Sequence, residues 1–148
     1  MKRDTLPAGY HYKLPTEAQW EYACRAGTTT RFSYGNDTGY SQLGSYAWYD
    51  DNSSGKTHPV GDKLPNGWRL YDMHGNVWEW CLDWKGDYTG GSVSDPQGPQ
   101  SGSDRVNRGG CWRDGARYCR SVFRYGYWPD NTNFSLGFRV ALSSVPSE

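Results

Sequence analysis

The chain has 148 residues, about the size of one domain, and its 16 basic residues balance its 16 acidic ones. That balance excludes an overall field strong enough to attract nucleic acid or an anionic membrane surface. Only 35% of the residues are hydrophobic, yet 8 Trp, 12 Tyr and 4 Phe are present, so the core must be built from large rings and disorder is excluded.

Residues 1–7 contain no apolar run of signal-peptide length, and no later stretch could span a bilayer, so the expectation is a soluble chain without membrane insertion and with no assigned compartment. The first strong element is a helix over 15–27. Thr16 is placed to cap it, Gln19 completes a capping box, Glu17 suits the positive end of the dipole and Gly27 is placed to terminate it. Trp20, Ala23 and Cys24 share one face at the spacing of a buried stripe. Residues 28–65 are rich in Gly, Asn, Asp and Ser, broken by Trp48, Tyr49 and Val60, and predict a long excursion with a short strand or two.

Pro65-Asn66-Gly67 signals a turn, and 75–81 alternates as a strand, with Val77 and Glu79 on one face and Trp78 and Trp80 on the other. A polar loop over 85–103 follows, and two more strands are predicted over 105–112 and 136–142, separated by an irregular segment. Trp20, Trp68, Trp78, Trp80, Trp112 and Phe138 are the expected core rings. Residues 105–139 carry seven Arg, no Lys and only Asp114 and Asp130 as acids. Cys24, Cys81, Cys111 and Cys119 have no C-x-x-C spacing, so buried thiols are expected and one bridge stays open.

Four segments in order carry a family likeness: Leu14-Pro15-Thr16-Glu17-Ala18-Gln19-Trp20-Glu21-Tyr22-Ala23, then Gly67-Trp68-Arg69-Leu70-Tyr71-Asp72-Met73-His74-Gly75-Asn76-Val77-Trp78-Glu79-Trp80, then Arg105-Val106-Asn107-Arg108-Gly109-Gly110, and Leu136-Gly137-Phe138-Arg139-Val140. Together they resemble the formylglycine-generating enzyme, or sulfatase-modifying factor, family. The resemblance covers residues 13–142 and implies one α+β domain over 1–148 with a C-type-lectin-like fold of short strands, few helices and many loops.

In the family's enzymes two cysteines five residues apart hold copper, a soft ion suited to thiolates. The matching positions here are Asp114 and Cys119, and Cys111 does not restore the spacing. His11, His58 and His74 stand apart, so no histidine-rich iron signature is present, and the expectation is that the chain is not an enzyme.

A second branch of the fold is closer. Residues 108–139 resemble the variable segment of the ligand-binding proteins of diversity-generating retroelements, in which adenine-directed mutagenesis rewrites surface positions. Scaffold-like positions are Arg108, Gly109, Gly110, Trp112, Ala116, Cys119, Arg120, Ser121, Arg124, Pro129, Asp130 and 136–139. Asparagine codons rewritten at their adenines exclude Lys, Gln, Glu, Met and Trp, and every intervening residue except Trp128 lies in the allowed set. Ligand contact is expected from Cys111, Arg113, Asp114, Gly115, Arg117, Tyr118, Val122, Phe123, Tyr125, Tyr127, Trp128, Asn131, Thr132 and Phe134. Rigid amphipathic rings interleaved with Arg are the chemistry of a protein-binding paratope, and a protein ligand is the expected partner. The alternatives are an oxidoreductase of the family's kind and a nucleic-acid binder in which Arg meets phosphate and rings stack on bases; the charge balance speaks against the latter. Binding requires no cofactor. The resemblance also implies a structural calcium site of hard oxygens at Gly75, Asn76, Val77 and Glu79. Glu79 is equally suited to satisfying buried backbone groups or a scaffold arginine.

Overall fold

The computed structural model describes residues 6–144; residues 1–5 of the amino-terminal stretch considered above lie outside the described residues. Among the described residues no helix is long and apolar enough to cross a membrane.

Helix α1 (Glu17–Arg25) begins as its sequence dictates. Thr16 is extended, the Gln19 N–H donates to Thr16 Oγ1 at 3.2 Å, and the Thr16 N–H donates to Gln19 Oε1 at 3.0 Å. It is two residues shorter at each end than predicted, closing with Ala26 in the left-handed conformation at φ 48° before Gly27. Trp20 and Cys24 are buried against Met73, Cys81 and Val106, with Ala23 beside them.

The excursion after α1 supplies a one-turn helix α2 (Leu43–Tyr46) and strand β2 (Ala47–Trp48), which pairs in parallel with β3 (His74–Gly75). At Gly75 a Cβ would stand 2.2 Å from the Trp48 carbonyl oxygen, and φ is +80°, so only glycine fits this contact. Asn76 turns again at φ 64°, and β4 (Trp78–Trp84) therefore starts three residues later than the alternation predicted. Glu79, Cys81 and Asp83 bury one face of β4, whereas on the other Trp78 is buried, Trp80 half-buried and Leu82 exposed.

The main sheet has the order β6-β5-β4-β7. Strand β5 (Arg105–Arg108) runs antiparallel to both β4 and β6, and stops before 112 because Gly109 and Gly110 adopt φ values of 99° and 78°. Strand β6 (Arg124–Tyr127) lies inside the segment read as irregular. The predicted strand over 136–142 divides into β7 (Leu136–Gly137), parallel to β4, and β8 (Ala141–Ser144), which pairs with β1 (Tyr10–Lys13).

Two expected core rings are outside: Trp68 is 45% exposed and Phe138 68% exposed. Trp68 lies on the helix surface against Tyr22, and Phe138 turns outward because Arg139 beside it takes the inward path to Glu79. All four cysteines are buried free thiols. A second core cluster joins Phe32, Leu43, Ala47, Tyr49 and Cys119, linking the excursion to the carboxy-terminal segment.

Polar groups lock these layers together. Arg108 is fully buried, pairs with Glu21, faces Glu17 at 3.5 Å and donates to the carbonyls of Ser121 and Phe123 at 2.9 and 2.7 Å. Arg124 Nε donates to Glu17 at 2.8 Å. His74, also buried, donates from Nδ1 to the Cys119 carbonyl at 2.7 Å. That tautomer leaves Nε2 to accept from the Ser33 hydroxyl at 2.9 Å.

Burial pushes the His74 imidazole down to about 4, with the Cys119 carbonyl opposing the shift. The unfolded chain then binds the extra proton between pH 6.5 and about 4, so the stability tied to neutral His74 is full above pH 6.5 and is lost as the pH falls through that window. Urea unfolding is expected to show a wild-type loss of about 1.4 kcal/mol per pH unit in excess of a His74→Gln variant. Identical pH slopes for the two proteins would refute this.

Candidate ligand-binding surface

The segment that follows β5 is held to the scaffold mainly through its backbone. At Gly110 a Cβ would come within 3.0 Å of Cys119 Sγ and the Tyr118 carbonyl, so the segment folds tightly over itself at this point. The Trp112 N–H donates to the Asn76 carbonyl at 2.8 Å, the Asp50 N–H to the Asp114 carbonyl at 3.1 Å, and the Ser121 N–H to the Arg31 carbonyl at 3.1 Å. A single 3-10 turn (Ala116–Cys119) leads toward β6, and after β6 the Asn133 side chain accepts from both the N–H and hydroxyl of Ser135 before β7 begins.

On this frame the rings converge. Tyr118 packs edge-on against Phe123 with centroids 4.8 Å apart, Phe123 lies 6.0 Å from Trp78, Trp78 5.8 Å from Tyr125, and Tyr125 5.1 Å from Tyr127. Tyr125 and Tyr127 share a face because they are two apart in β6. A second group places Phe134 against Trp112, with the Arg113 guanidinium 5.3 Å from the Phe134 ring. Burial raises the Tyr127 phenol, the Tyr125 charge adds to the rise, and Arg113 opposes it. Arg117 lies over Tyr118 and Arg120 over Phe123.

Of the expected contact residues, Arg113, Gly115, Arg117, Val122, Tyr125, Trp128, Thr132 and Phe134 are exposed, and Asp114, Tyr118, Phe123, Tyr127 and Asn131 are half-buried. Cys111 is a correction: it is fully buried, its thiol donating to Asp114 at 3.0 Å, and it offers a ligand nothing. Ser135, read as an intervening position, is buried too. Val122 does not join the rings and faces α1 instead. Trp78, read only as core, forms the floor of the ring array, and Arg120, read as scaffold, flanks it. The pairing of β4 with β5 and of β5 with β6 creates that floor, and no local pattern announces it.

The seven arginines divide in the same way. Arg108, Arg124 and Arg139 are consumed by ion pairs, and Arg105 by the Leu82 carbonyl and the Trp84 ring. Arg120 donates to the Arg117 carbonyl at 2.7 Å, and Arg113 and Arg117 remain exposed.

At the positions of the family's copper ligands, Cys119 is buried and its thiol is pushed far up by burial, with Asp114 and Cys111 adding to the rise. Burial raises Cys111 to about 12, and its hydrogen bond to Asp114 holds the thiol form further. Both are neutral thiols at physiological pH, the opposite of an activated thiolate.

Gly75, Asn76, Val77 and Glu79 line one cavity of about 410 Å³, and Asp72, absent from the sequence reading, lines it with them. The side-chain donors of this set are already engaged within the protein. Glu79 accepts from Trp20 Nε1 and from Arg139 Nε and Nη2, each at 2.6 Å, which occupies both carboxylate oxygens. The Asn76 amide oxygen accepts the His58 N–H at 3.1 Å, and Asp72 accepts the Gly61 N–H at 2.7 Å. A cation here would compete with a guanidinium already in place.

Residues 2–144 match the family described as the sulfatase-modifying factor enzyme 1-like domain. The formylglycine-generating enzyme of Mus musculus is 38% identical over 149 residues, which cover 91% of this chain and 40% of that protein. Among solved structures, Treponema denticola variable protein 1 superposes with a TM-score of 0.83 at 44% identity, covering 90% of this chain and 48% of that one. PvdO from Pseudomonas aeruginosa superposes with a TM-score of 0.80 at 33% identity, covering 92% and 54%. The chain thus spans about half or less of the length of these relatives. The fold is α+β, of the C-type-lectin-like, formylglycine-generating-enzyme type.

Because Arg139 already neutralises Glu79, chelation with EDTA is expected to leave the thermal midpoint within about 1 °C of its starting value. A fall of several degrees, restored by calcium alone, would show that an oxygen-bound cation displaces the guanidinium.

Proposed function

The chain belongs to the sulfatase-modifying factor enzyme 1-like family, and from that premise we propose that it is a ligand-binding variable protein of the diversity-generating-retroelement kind, not a catalyst. The observation that carries the reading is the ring array: Tyr118, Phe123, Tyr125 and Tyr127 are contiguous over Trp78, with Trp128 and Phe134 exposed nearby at 70% and 67%. Rings of this kind bury large area at low entropic cost, and Arg113 and Arg117 add charge-assisted hydrogen bonds at the edge, as in protein-binding hot spots. A protein ligand is the partner whose surface such an array suits. The likeness to a solved variable protein supports the reading.

The chemistry of the thiols supports it as well. Asp114 stands where a second thiolate would be needed, and it accepts a hydrogen bond from the Cys111 thiol instead of leaving two sulfurs for a soft metal. No nucleic-acid role is proposed, because Arg108, Arg124 and Arg139 are neutralised by carboxylates of the scaffold and the chain as a whole carries balanced charge.

Randomising Arg113, Arg117, Tyr125, Trp128, Thr132 and Phe134 together is expected to yield clones that mostly keep the thermal midpoint within about 5 °C, and selection on hen lysozyme is expected to return binders. Cys111→Asn, at a buried position, is expected to cost about 1–3 kcal/mol in urea unfolding. General unfolding of the library would overturn the division between frame and surface. Titration with copper(I) is expected to show no tight site, and oxygen uptake with a cysteine peptide is expected to stay at background; turnover would establish the enzyme instead. In the genome, a reverse transcriptase nearby and a near-repeat of the codons for 108–139, differing at adenines, is the expected signature of diversification.

A further inference from the structure

Away from the rings, a cavity of about 940 Å³ lies between α1 and the loop over 85–103, within the range of roughly 300–1,000 Å³ typical of ligand sites. Glu17, Glu21 and Tyr22 form the helix wall, Tyr88, Pro96 and Pro99 the loop wall, and Val122 and Arg124 close the end that belongs to the carboxy-terminal segment. Tyr22, Tyr88, Val93 and Val122 all present exposed apolar surface there.

The charges in the wall do not cancel. Glu17 pairs with Arg124 and faces Arg108, and Glu21 pairs with Arg25 and Arg108. Asp83 also lines the cavity and is only 4% exposed, yet among the described residues no basic group lies within ion-pair distance of it. One of its oxygens accepts the Glu17 N–H at 2.7 Å, so the first turn of α1 helps hold the charge. Asp87, exposed on the loop, is likewise without an ion pair among the described residues. Burial raises the Asp83 carboxyl and Arg124 opposes that rise from beyond ion-pair distance, and a buried carboxylate that faces a cavity with no direct ion pair is complementary to a cation.

We infer that this cavity is a subsite for a basic side chain, arginine or lysine, of a polypeptide ligand, its charged head against Asp83 and its aliphatic stem along Tyr88, Pro99 and Val122. The stem matters as much as the charge, because Arg and Lys bury their methylenes on apolar surface while the head seeks a carboxylate. The inference rests on the protein-ligand reading above and extends it to a second pocket on the far side of Val122.

The test is an NMR titration with two tripeptides, acetyl-Leu-Arg-Tyr-amide and acetyl-Leu-Glu-Tyr-amide. The arginine peptide is expected to give saturable shifts at the amides of Asp83, Tyr88 and Val122, and the glutamate peptide to bind at least about tenfold more weakly. Asp83→Asn keeps an acceptor for the Glu17 N–H, so its thermal midpoint is expected to stay at or above the wild-type value while arginine-peptide binding falls at least about tenfold. Equal binding of both peptides, unchanged binding in Asp83→Asn, or no saturation up to about 10 mM would each overturn the assignment. Tyr125→Ala and Phe134→Ala are expected to leave tripeptide binding unaltered, so failure of the ring array and failure of this pocket read out separately.

Discussion

Arg108 is completely cut off from water, and a guanidinium in that position persists only if carboxylates and carbonyls replace its hydration shell. Glu21 and Glu17 come from α1, and the Ser121 and Phe123 carbonyls come from the segment leading into β6. The Trp20 ring lies 5.3 Å away on the remaining side. One buried charge thus dictates where α1 sits on β5 and how the chain approaches β6. Removing it would leave Glu17 with Arg124 and the Tyr88 hydroxyl and take the guanidinium donor from two carbonyls, a loss on the order of 3–5 kcal/mol for breaking a buried pair. Arg139 on Glu79 applies the same logic at the other end of the sheet.

Much of this was legible from local chemistry. The capping box at Thr16 and the Trp20, Ala23, Cys24 stripe are rules of a single helix, and they hold in the fold. The glycine pair 109–110 marked the end of β5 in its own sequence, although the strand had been carried past it. Long-range pairing was illegible. Strand β6 exists because its residues meet β5 in register, and a Tyr-Gly-Tyr run between irregular flanks does not say so. Phe138 was misread as core because an apolar residue inside a strand-like run looks buried until Arg139 is known to need the inward direction. For the surface, the rings were visible as composition, but Cys111 was misplaced because its exposure depends on Asp114 and on the fold of the Gly110 corner.

Burial also sets the character of the thiols in the carboxy-terminal segment. A thiolate pair needs exposure and a positive environment. Here burial and a neighbouring carboxylate drive both Cys111 and Cys119 toward the neutral thiol. Cys119 has become a packing residue beside Phe32 and Leu43, and its carbonyl, not its sulfur, makes the specific contact with His74. In this fold the Cys119 position serves packing and backbone anchorage.

The anchors that hold the carboxy-terminal segment mostly grip atoms that every residue possesses. His74 takes the Cys119 carbonyl, Arg108 those of Ser121 and Phe123, and the Asp50 N–H that of Asp114. A carbonyl oxygen is unchanged when the side chain beyond it is replaced. Heredity can therefore rewrite the outward-facing letters of this segment while the grammar that folds it stays fixed, and the evolvability of the surface is a property of its main-chain anchorage.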